Sequence, residues 1–275
     1  MITPQPLDEK TLPALSPVVI AVLGSVRLIL GGNPMPLVRE SKSAQLLTCL
    51  ALAKQHRLPR GHILETVWPE ADPALAGQAL NSLNHQLNKT SSKHLNGQAL
   101  IVHDTGYYQI NTPDQVWIDV DHFATWSETG RRLLATDETV AGITYCEQAL
   151  ALYQGDLCGD SSIQTVIERE RLRAAFLDLL VRLADHYNHN EPGKALHYIQ
   201  RVLAHDPCRE DAHRQAMRCY VRLGQRAQAL RHYRLCCQAL ATEFDMAPEP
   251  ATVALYEQIR LDPASVWYHS ESVDS

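Results

Sequence analysis

The 275-residue chain lacks a long apolar stretch, although 45% of its residues are hydrophobic. It contains no uncharged apolar run of about 18 residues or more, which is the length that a membrane-spanning helix requires. Residues 1–17 lack the basic start and the apolar core of a secretory signal peptide. We therefore expect a cytoplasmic protein that has no membrane partner.

The sequence also lacks the motifs of enzymes and of metal sites. Its seven cysteines include no CxxC pair, and no histidine pair at zinc-finger spacing accompanies them, so we expect reduced, mainly structural thiols. Gly31 and Gly32 are not followed by the lysine and helix of a phosphate-binding loop. No Ser/His/Asp or Cys/His motif marks a nucleophile. We expect no catalytic residue, no metal, no cofactor and no enzymatic activity.

Basic residues are in excess in only one part of the chain. Residues 18–115 carry 8 Lys and Arg against 6 Asp and Glu, a balance of +2, whereas residues 116–275 carry 16 against 23, a balance of −7. This asymmetry is compatible with one module that meets a polyanion and another that meets protein. We predict a domain at 18–115, a second at 116–263, and flexible tails at 1–17 and 264–275.

The first domain has the element order of a winged helix-turn-helix. Three β-rich segments between Val18 and Val38, separated by glycine-containing turns, predict a small antiparallel sheet. Ser41 or Ser43 can cap the first helix, and Asp72 can cap the third. Alternating residues on both sides of Asp104-Thr105-Gly106 predict a wing hairpin. The helices are expected at residues 43–55, 60–68 and 74–89.

Amphipathic helical patterns replace the strand signals from residue 116 onward. The expected helices span residues 121–134, 138–153, 165–188, 192–205, 209–223, 225–243 and 250–260. Ala195 and Ala229, like Leu196 and Leu230, lie 34 residues apart, which is the period of tetratricopeptide repeats. The predicted fold class is therefore an α+β winged helix-turn-helix domain followed by an all-α, tetratricopeptide-like repeat domain.

An ordered set of segments carries a family resemblance. In the first half these are VLGSVRL, SAQLLTCLAL, ILETVWPEADP, LNSLNHQLNK and DTGYYQI; in the second they include WIDVDHF, CEQALALYQGD and ERERLRAAFLDLLVRLADHY. The chain resembles the Streptomyces antibiotic regulatory proteins, in which an OmpR-like winged helix precedes a bacterial transcriptional activator domain. The resemblance implies a transcriptional activator that binds repeated elements in double-stranded promoter DNA, self-associates there, and recruits RNA polymerase through its sigma factor.

The third predicted helix has a polar face that is chemically able to read bases. Its apolar residues fall on one side at about 100° per residue, and the opposite side carries Gln78, Asn81, His85 and Asn88. Asparagine and glutamine can pair with adenine N6 and N7, and histidine can donate to a guanine edge. We predict base readout by these four residues with a preference for A·T pairs. The alternative is a solvated polar face.

Phosphate contacts are expected from cations and from the wing. Lys42 and Arg60 lie at the starts of the first two helices, where helix N-termini favour phosphate. For each candidate, a surface charge or a core tyrosine is the alternative, and alternation places Tyr108 in the core. The predicted phosphate-binding residues are Lys42, Arg60, Lys89, Lys93, His103 and Tyr107.

Two further interpretations concern protein partners. Arg214, Arg218 and Arg222 recur every four residues, which predicts either a partner-binding stripe that meets an acidic protein surface or more DNA, or a solvated charged face. The third helix carries only Lys89 where the related family looks richer in arginine. This departure leaves open a second function, namely a protein-interaction scaffold with a degenerate winged helix.

Overall fold

The computed structural model describes residues 16–35, 37–38, 41–111, 115–136, 138–157 and 163–263. The chain divides into two compact units, Met1–Phe176 and Leu177–Ser275, called the first and the second unit below. The division falls inside the long helix Ile163–Tyr187. The change of character that the sequence predicts at residue 116 thus stays a prediction, and the tail expected at 264–275 lies outside the described residues.

A four-stranded sheet opens the first unit. Its strands pair in the order β3-β2-β1-β7, and the antiparallel pairing of the first three confirms the sequence prediction. The last strand pairs parallel to β1, with Val18 opposite Val116, and was not predicted because three residues are too few to show alternation. The strands are β1 (Val18–Ala21), β2 (Arg27–Leu30), β3 (Asn33–Met35) and β7 (Val116–Ile118).

Three helices follow the first three strands, and the first and third begin where the sequence predicts a cap. The Ser41 hydroxyl accepts a hydrogen bond from the backbone N–H of Ala44 at 3.3 Å. The carboxylate of Asp72 accepts from two N–H groups at the start of the third helix, at 2.9 and 3.1 Å. Such caps satisfy backbone donors that the first helical turn leaves unpaired. The helices are α1 (Lys42–Leu52), α2 (Arg60–Val67) and α3 (Pro73–Ser91).

The wing belongs to a second sheet, ordered β4-β6-β5. Its predicted hairpin is present, and the turn residues Thr105 and Gly106 have φ values of 48° and 80°, as a two-residue turn of type I′ requires. The strand β4 was missed because Pro59 indicates an interruption, although proline is tolerated on an edge strand. The strands are β4 (Arg57–Pro59), β5 (Ile101–Asp104) and β6 (Tyr107–Ile110).

Helices α4 (Asp119–Ala135) and α5 (Thr139–Leu152) complete the elements that surround the first sheet. They cross closely because glycines face the partner helix: a Cβ atom at Gly142 would lie 2.9 Å from the backbone nitrogen of Leu134. Asp119, only 2% exposed, accepts hydrogen bonds from the N–H groups of Val22 and Leu23 at 2.8–2.9 Å. This carboxylate therefore fastens the start of α4 to the chain that leaves β1.

The second unit consists of helices that pack in sequence. It contains the end of α6 (Ile163–Tyr187), followed by α7 (Pro192–His205), α8 (Glu210–Arg222), α9 (Arg226–Phe244) and α10 (Pro250–Leu261). The predicted helices are confirmed to within about two residues, which is the usual uncertainty of helix ends. Ala195 and Ala229, equivalent in the 34-residue repeat, are both fully buried. None of the described helices combines the length and the apolar character that crossing a bilayer demands.

Candidate nucleic-acid interface

Helix α3 separates an apolar face from a polar one along its 19 residues. Ala76, Leu80 and Leu87 are buried in the first unit, which confirms the predicted core side. Three of the four predicted base-reading residues are exposed on the other side: Gln78, Asn81 and His85. These three, called the α3 polar face below, lie at helical spacing on one stripe. They form the accessible surface that the sequence indicated.

Asn81 is joined to the wing through Tyr108. The Tyr108 hydroxyl donates a hydrogen bond to Asn81 Oδ1 at 2.9 Å. Tyr108 is only 1% exposed, as the alternation predicted, and burial raises its pKa. The ring of His103, a predicted phosphate contact, stacks on the Tyr108 ring at a centroid distance of 4.4 Å. The wing thus holds one residue of the α3 polar face in a defined orientation.

Arg60 lies beneath α3 rather than on an open surface. A Cβ atom at Gly77 would lie 1.9 Å from Arg60 Nη2, so the side chain occupies space that only glycine leaves. The positive charge of the guanidinium lowers the pKa of Tyr108, partly offsetting the effect of burial. The backbone N–H of Arg60 donates to the carbonyl of Gly106 at 2.8 Å. Predicted as a phosphate contact, Arg60 instead connects α2, α3 and the wing.

Asn88 is the fourth predicted base-reading residue, and its amide has a structural partner. Its Nδ2 donates to the carbonyl of Ile101 at 2.8 Å, and its Oδ1 accepts from the N–H of the same residue at 2.8 Å. Both arms of the amide are thereby engaged with strand β5. Since base readout needs these same atoms, we leave Asn88 out of the proposed reading surface.

Lys42 is likewise engaged inside the domain. Its Nζ donates to the carbonyl of Val67, at the end of α2, and to Gln45 Oε1 at 3.3 Å. The same ammonium lies 5.8 Å from the centre of the Trp68 ring. A cation at a helix C-terminus satisfies a backbone acceptor and the helix dipole. Lys42 therefore stabilises the end of α2, and its ammonium already has partners where a phosphate contact was predicted.

The remaining predicted phosphate contacts are exposed. Lys89 and Lys93 extend from the end of α3 and the turn after it. Tyr107, 41% exposed on the wing, carries the guanidinium of Arg57 over its ring at 4.1 Å. Sequence reasoning missed Arg57 because it missed strand β4; a basic residue before the Leu-Pro pair was the available signal. The candidate interface thus consists of the α3 polar face with cations near its end and at the wing.

The arginine stripe of the second unit is occupied by contacts within that unit. Arg214 donates to Glu249 and to Thr252, both at 2.9 Å. Arg222 donates to Asn188 Oδ1 at 3.0 Å. Arg218 is half-buried, and burial together with the two neighbouring arginines lowers its pKa. Arg214 thus joins α8 to the start of α10, and Arg222 joins α8 to the loop after α6, which neither a partner-binding stripe nor a solvated face predicted.

His56 in the first unit and the His213–His232 pair in the second experience opposite environments. In the first, His56 Nε2 lies 3.0 Å from Asp121 Oδ2, and this hydrogen bond raises the pKa of His56. In the second, His213 and His232 are buried and hydrogen-bonded to each other at 3.1 Å. Burial lowers the pKa of His213 and lowers that of His232 to about 4. The rings of His213 and His232 are therefore both kept neutral.

Comparison with known proteins identifies the helical part of the chain. The family model described as the bacterial transcriptional activator domain matches residues 118–260, slightly more than half of the sequence. The chain belongs to this family. This bacterial transcriptional activator domain protein is thus a transcriptional regulator of that type, and the predicted relationship to the Streptomyces antibiotic regulatory proteins is confirmed.

Two curated relatives are similar to this chain over most of its length. The transcriptional regulatory protein MoaR1 of Mycobacterium tuberculosis is 25% identical over 242 residues, covering 86% of this chain and 78% of MoaR1. The regulatory protein AfsR of Streptomyces griseus is 24% identical over 246 residues, which is 86% of this chain and 24% of AfsR.

One similar solved structure is Mycobacterium tuberculosis EmbR in complex with a low affinity phosphopeptide. It matches with a TM-score of 0.66 and 17% identity over 93% of this chain and 69% of that one. This likeness concerns the fold alone. It confirms the predicted class, a winged helix-turn-helix followed by a helical domain.

Proposed function

We propose that this transcriptional regulator is a sequence-specific DNA-binding activator whose helix α3 enters the major groove. The α3 polar face carries this proposal: Gln78, Asn81 and His85 are exposed on one stripe of a helix whose other side is buried. The major groove admits an α-helix, and amide and imidazole groups match the donors and acceptors of base edges. The wing, joined to α3 through Asn81 and Asn88, stabilises the helix in the orientation that a groove requires.

Phosphate contacts in this proposal come from few cations. Lys89 and Lys93 follow the reading face, and Arg57 lies over Tyr107 at the wing. Lys42 and Arg60 are excluded because the Lys42 ammonium donates to the Val67 carbonyl and the Arg60 guanidinium lies against Gly77 of α3. Each neutralised phosphate releases counterions, so three contacts per copy correspond to a salt slope of about −3 in log affinity against log salt. We therefore expect modest affinity for a single copy.

We further propose that activation proceeds through RNA polymerase and its sigma factor. The support is membership in the transcriptional activator domain family and the charge balance of −7 over residues 116–275, which distinguishes this part from the DNA-facing part. Copies that bind adjacent promoter repeats would self-associate on the DNA, and this would raise the overall affinity above that of one copy.

A binding titration tests the DNA-binding proposal. The full chain is titrated onto duplexes from its own upstream region and onto a scrambled duplex at about 50 mM and about 200 mM salt. We expect selective binding that weakens with salt. Lys89→Ala should weaken binding to both duplexes and reduce the salt slope by about one. Glu128→Gln, an exposed change on α4 outside the interface, is the matched control and should leave both unchanged.

One observation favours a second function, that of a protein-interaction scaffold. Two of the predicted phosphate-binding cations, Lys42 and Arg60, serve the domain's own structure, so the winged helix has fewer phosphate contacts than expected. A protein-only contact need not release counterions. Absence of binding to either duplex at low salt would therefore support the scaffold and contradict the DNA-binding proposal.

A further inference from the structure

We propose that Tyr108 and Arg60 are positioning residues that orient Asn81 so that it presents a hydrogen-bond donor, Nδ2, to the base it reads. This inference rests on the DNA-binding function proposed above. It names the chemistry of one base edge in the target site, and it assigns a specificity role to two side chains that would not touch DNA.

The direction of the Tyr108 hydrogen bond follows from the chemistry of arginine. The positive charge of Arg60 acts on the Tyr108 hydroxyl, and a guanidinium has donors only, so it cannot receive the hydroxyl proton. The hydroxyl donates instead to Asn81 Oδ1 at 2.9 Å. Its proton therefore points away from Arg60 and toward Asn81. The amide oxygen of Asn81 faces the Tyr108 hydroxyl, and the amide nitrogen, Nδ2, is the remaining polar atom of this side chain.

The two positioning residues are held by the surrounding fold. Arg60 occupies the space left by Gly77, where a Cβ atom would lie 1.9 Å from Nη2. Tyr108 is buried and stacked against His103. Asn81 itself is exposed, and within the described part of the chain no residue accepts a hydrogen bond from its Nδ2. The donor arm is thus both oriented and available to a ligand.

A donor arm discriminates among bases in the major groove. Guanine offers N7 and O6 as acceptors, adenine offers N7, and thymine offers O4, whereas cytosine offers only its N4 donor. Asn81 should therefore disfavour cytosine at the position it reads. Bidentate pairing with adenine would require the amide oxygen to be shared with Tyr108. The preference for A·T pairs expected from the sequence is replaced here by a preference for an acceptor edge.

The test uses a duplex selected from a random-sequence library by the full wild-type chain, together with its single-base variants. Tyr108→Phe keeps the ring and its stacking but removes the hydroxyl. It should reduce base discrimination at one position by about fivefold, and have no further effect at that position in an Asn81→Ala background. Tyr145→Phe, the same chemical change on α5, is the matched control and should leave every preference unchanged.

Asn81→Asp tests directly whether residue 81 presents a hydrogen-bond donor to the base. The carboxylate still accepts from Tyr108 but places an acceptor oxygen where Nδ2 was, and carboxylates accept from cytosine N4. We expect the preference at the same position to move toward cytosine by about tenfold. Because Asn81 is exposed, this variant keeps the test valid even if Tyr108→Phe lowers the melting temperature.

The outcomes separate the two proposals. If the wild-type chain selects no sequence, the DNA-binding function itself is contradicted. If it selects a site but Tyr108→Phe alters no position, or alters one equally with and without Asn81, the positioning role is overturned. If Asn81→Asp leaves cytosine disfavoured, the donor polarity is overturned.

Discussion

Protonation acts in opposite directions on Asp119, a buried acid of the first unit, and on His232, a buried base of the second. In the first unit, burial raises the pKa of Asp119 to about 6, and Asp121 raises that of His56. In the second, burial lowers the pKa of His232 to about 4 and also lowers that of His213. Burial favours the neutral form of any group. The same physical cause therefore makes a buried acid and a buried base respond to pH with opposite signs.

The direction of each pKa shift determines how stability changes with pH and over which pH range. For His232, the unfolded chain takes up its proton near the ordinary histidine pKa of 6.5 and the folded chain near 4, so stability of the second unit is lost as pH falls between these values. For Asp119, the folded chain takes up its proton near 6 and the unfolded chain near 3.8. Stability of the first unit is therefore regained as pH falls through that range. Mild acid should therefore destabilise the second unit through His232 and stabilise the first unit through Asp119.

The largest effect is expected from removing the Asp119 carboxylate. Asp119→Ala leaves the N–H groups of Val22 and Leu23 buried without an acceptor, which should lower the free energy of unfolding of the first unit by about 4 kcal/mol near pH 4. The loss should be smaller at pH 7, because only the wild type then carries the cost of a buried ionised carboxylate. Urea unfolding followed by tryptophan fluorescence, with Trp117 two residues away, measures both values.

Glu128→Gln on the same helix is the control for this change. It removes an exposed ion pair with Arg131 and should alter stability by less than about 0.5 kcal/mol. An Asp119→Ala chain with wild-type stability at both pH values would contradict the fastening role assigned to this carboxylate.

The second-largest effect on stability is expected from the histidine pair of the second unit, His213 and His232. Between pH 6.5 and about 4 the wild-type unit should lose about 3 kcal/mol, and His232→Phe should remove most of this pH dependence. Hydrogen exchange of the α8 and α9 amides, corrected for the intrinsic rate, measures opening in this unit alone. His189→Phe changes an exposed histidine and should behave as wild type. Equal protection at pH 7 and pH 5 in the wild type would contradict the neutral pair.

The smallest effect on stability is expected from the contact between His56 and Asp121. Its raised pKa means that the contact with Asp121 stabilises the first unit below pH 6.5 and is lost as pH rises through the folded pKa. The carboxylate of Asp121 is half exposed, so the contribution should be about 0.5 kcal/mol. An NMR titration of the His56 ring should show a pKa that falls back toward 6.5 in Asp121→Asn. A titration unchanged by that substitution would show that Asp121 does not raise the pKa of His56.

Local features of the sequence were sufficient to predict most elements. The caps Ser41 and Asp72, the turn at Thr105-Gly106 and the amphipathic period of α3 each act within a few residues, so the chain specifies them without tertiary contacts. The 34-residue repeat similarly relates one helix pair to the next. The short strands β4 and β7 were missed because their pairing partners are distant in sequence.

The candidate site was predicted in its exposure but not in its contacts. Helical period alone places Asn81 and Asn88 on the polar side of α3, yet it cannot distinguish an amide that meets solvent from one that meets the backbone of Ile101. Similarly, Arg60 and Arg214 are basic residues whose partners come from other elements. Long polar side chains were expected on open surfaces, whereas the fold uses several of them to join its elements.

Affinity for a selected duplex, compared between the wild type and a Gln78→Ala/Asn81→Ala/His85→Ala variant, tests the central claim most directly. All three side chains are exposed, so the fold should persist. We expect the variant's affinity for the selected duplex to fall by about 100-fold or more, to the level of a scrambled duplex whose binding is unchanged. Undiminished affinity for the selected duplex would contradict the claim that α3 reads DNA.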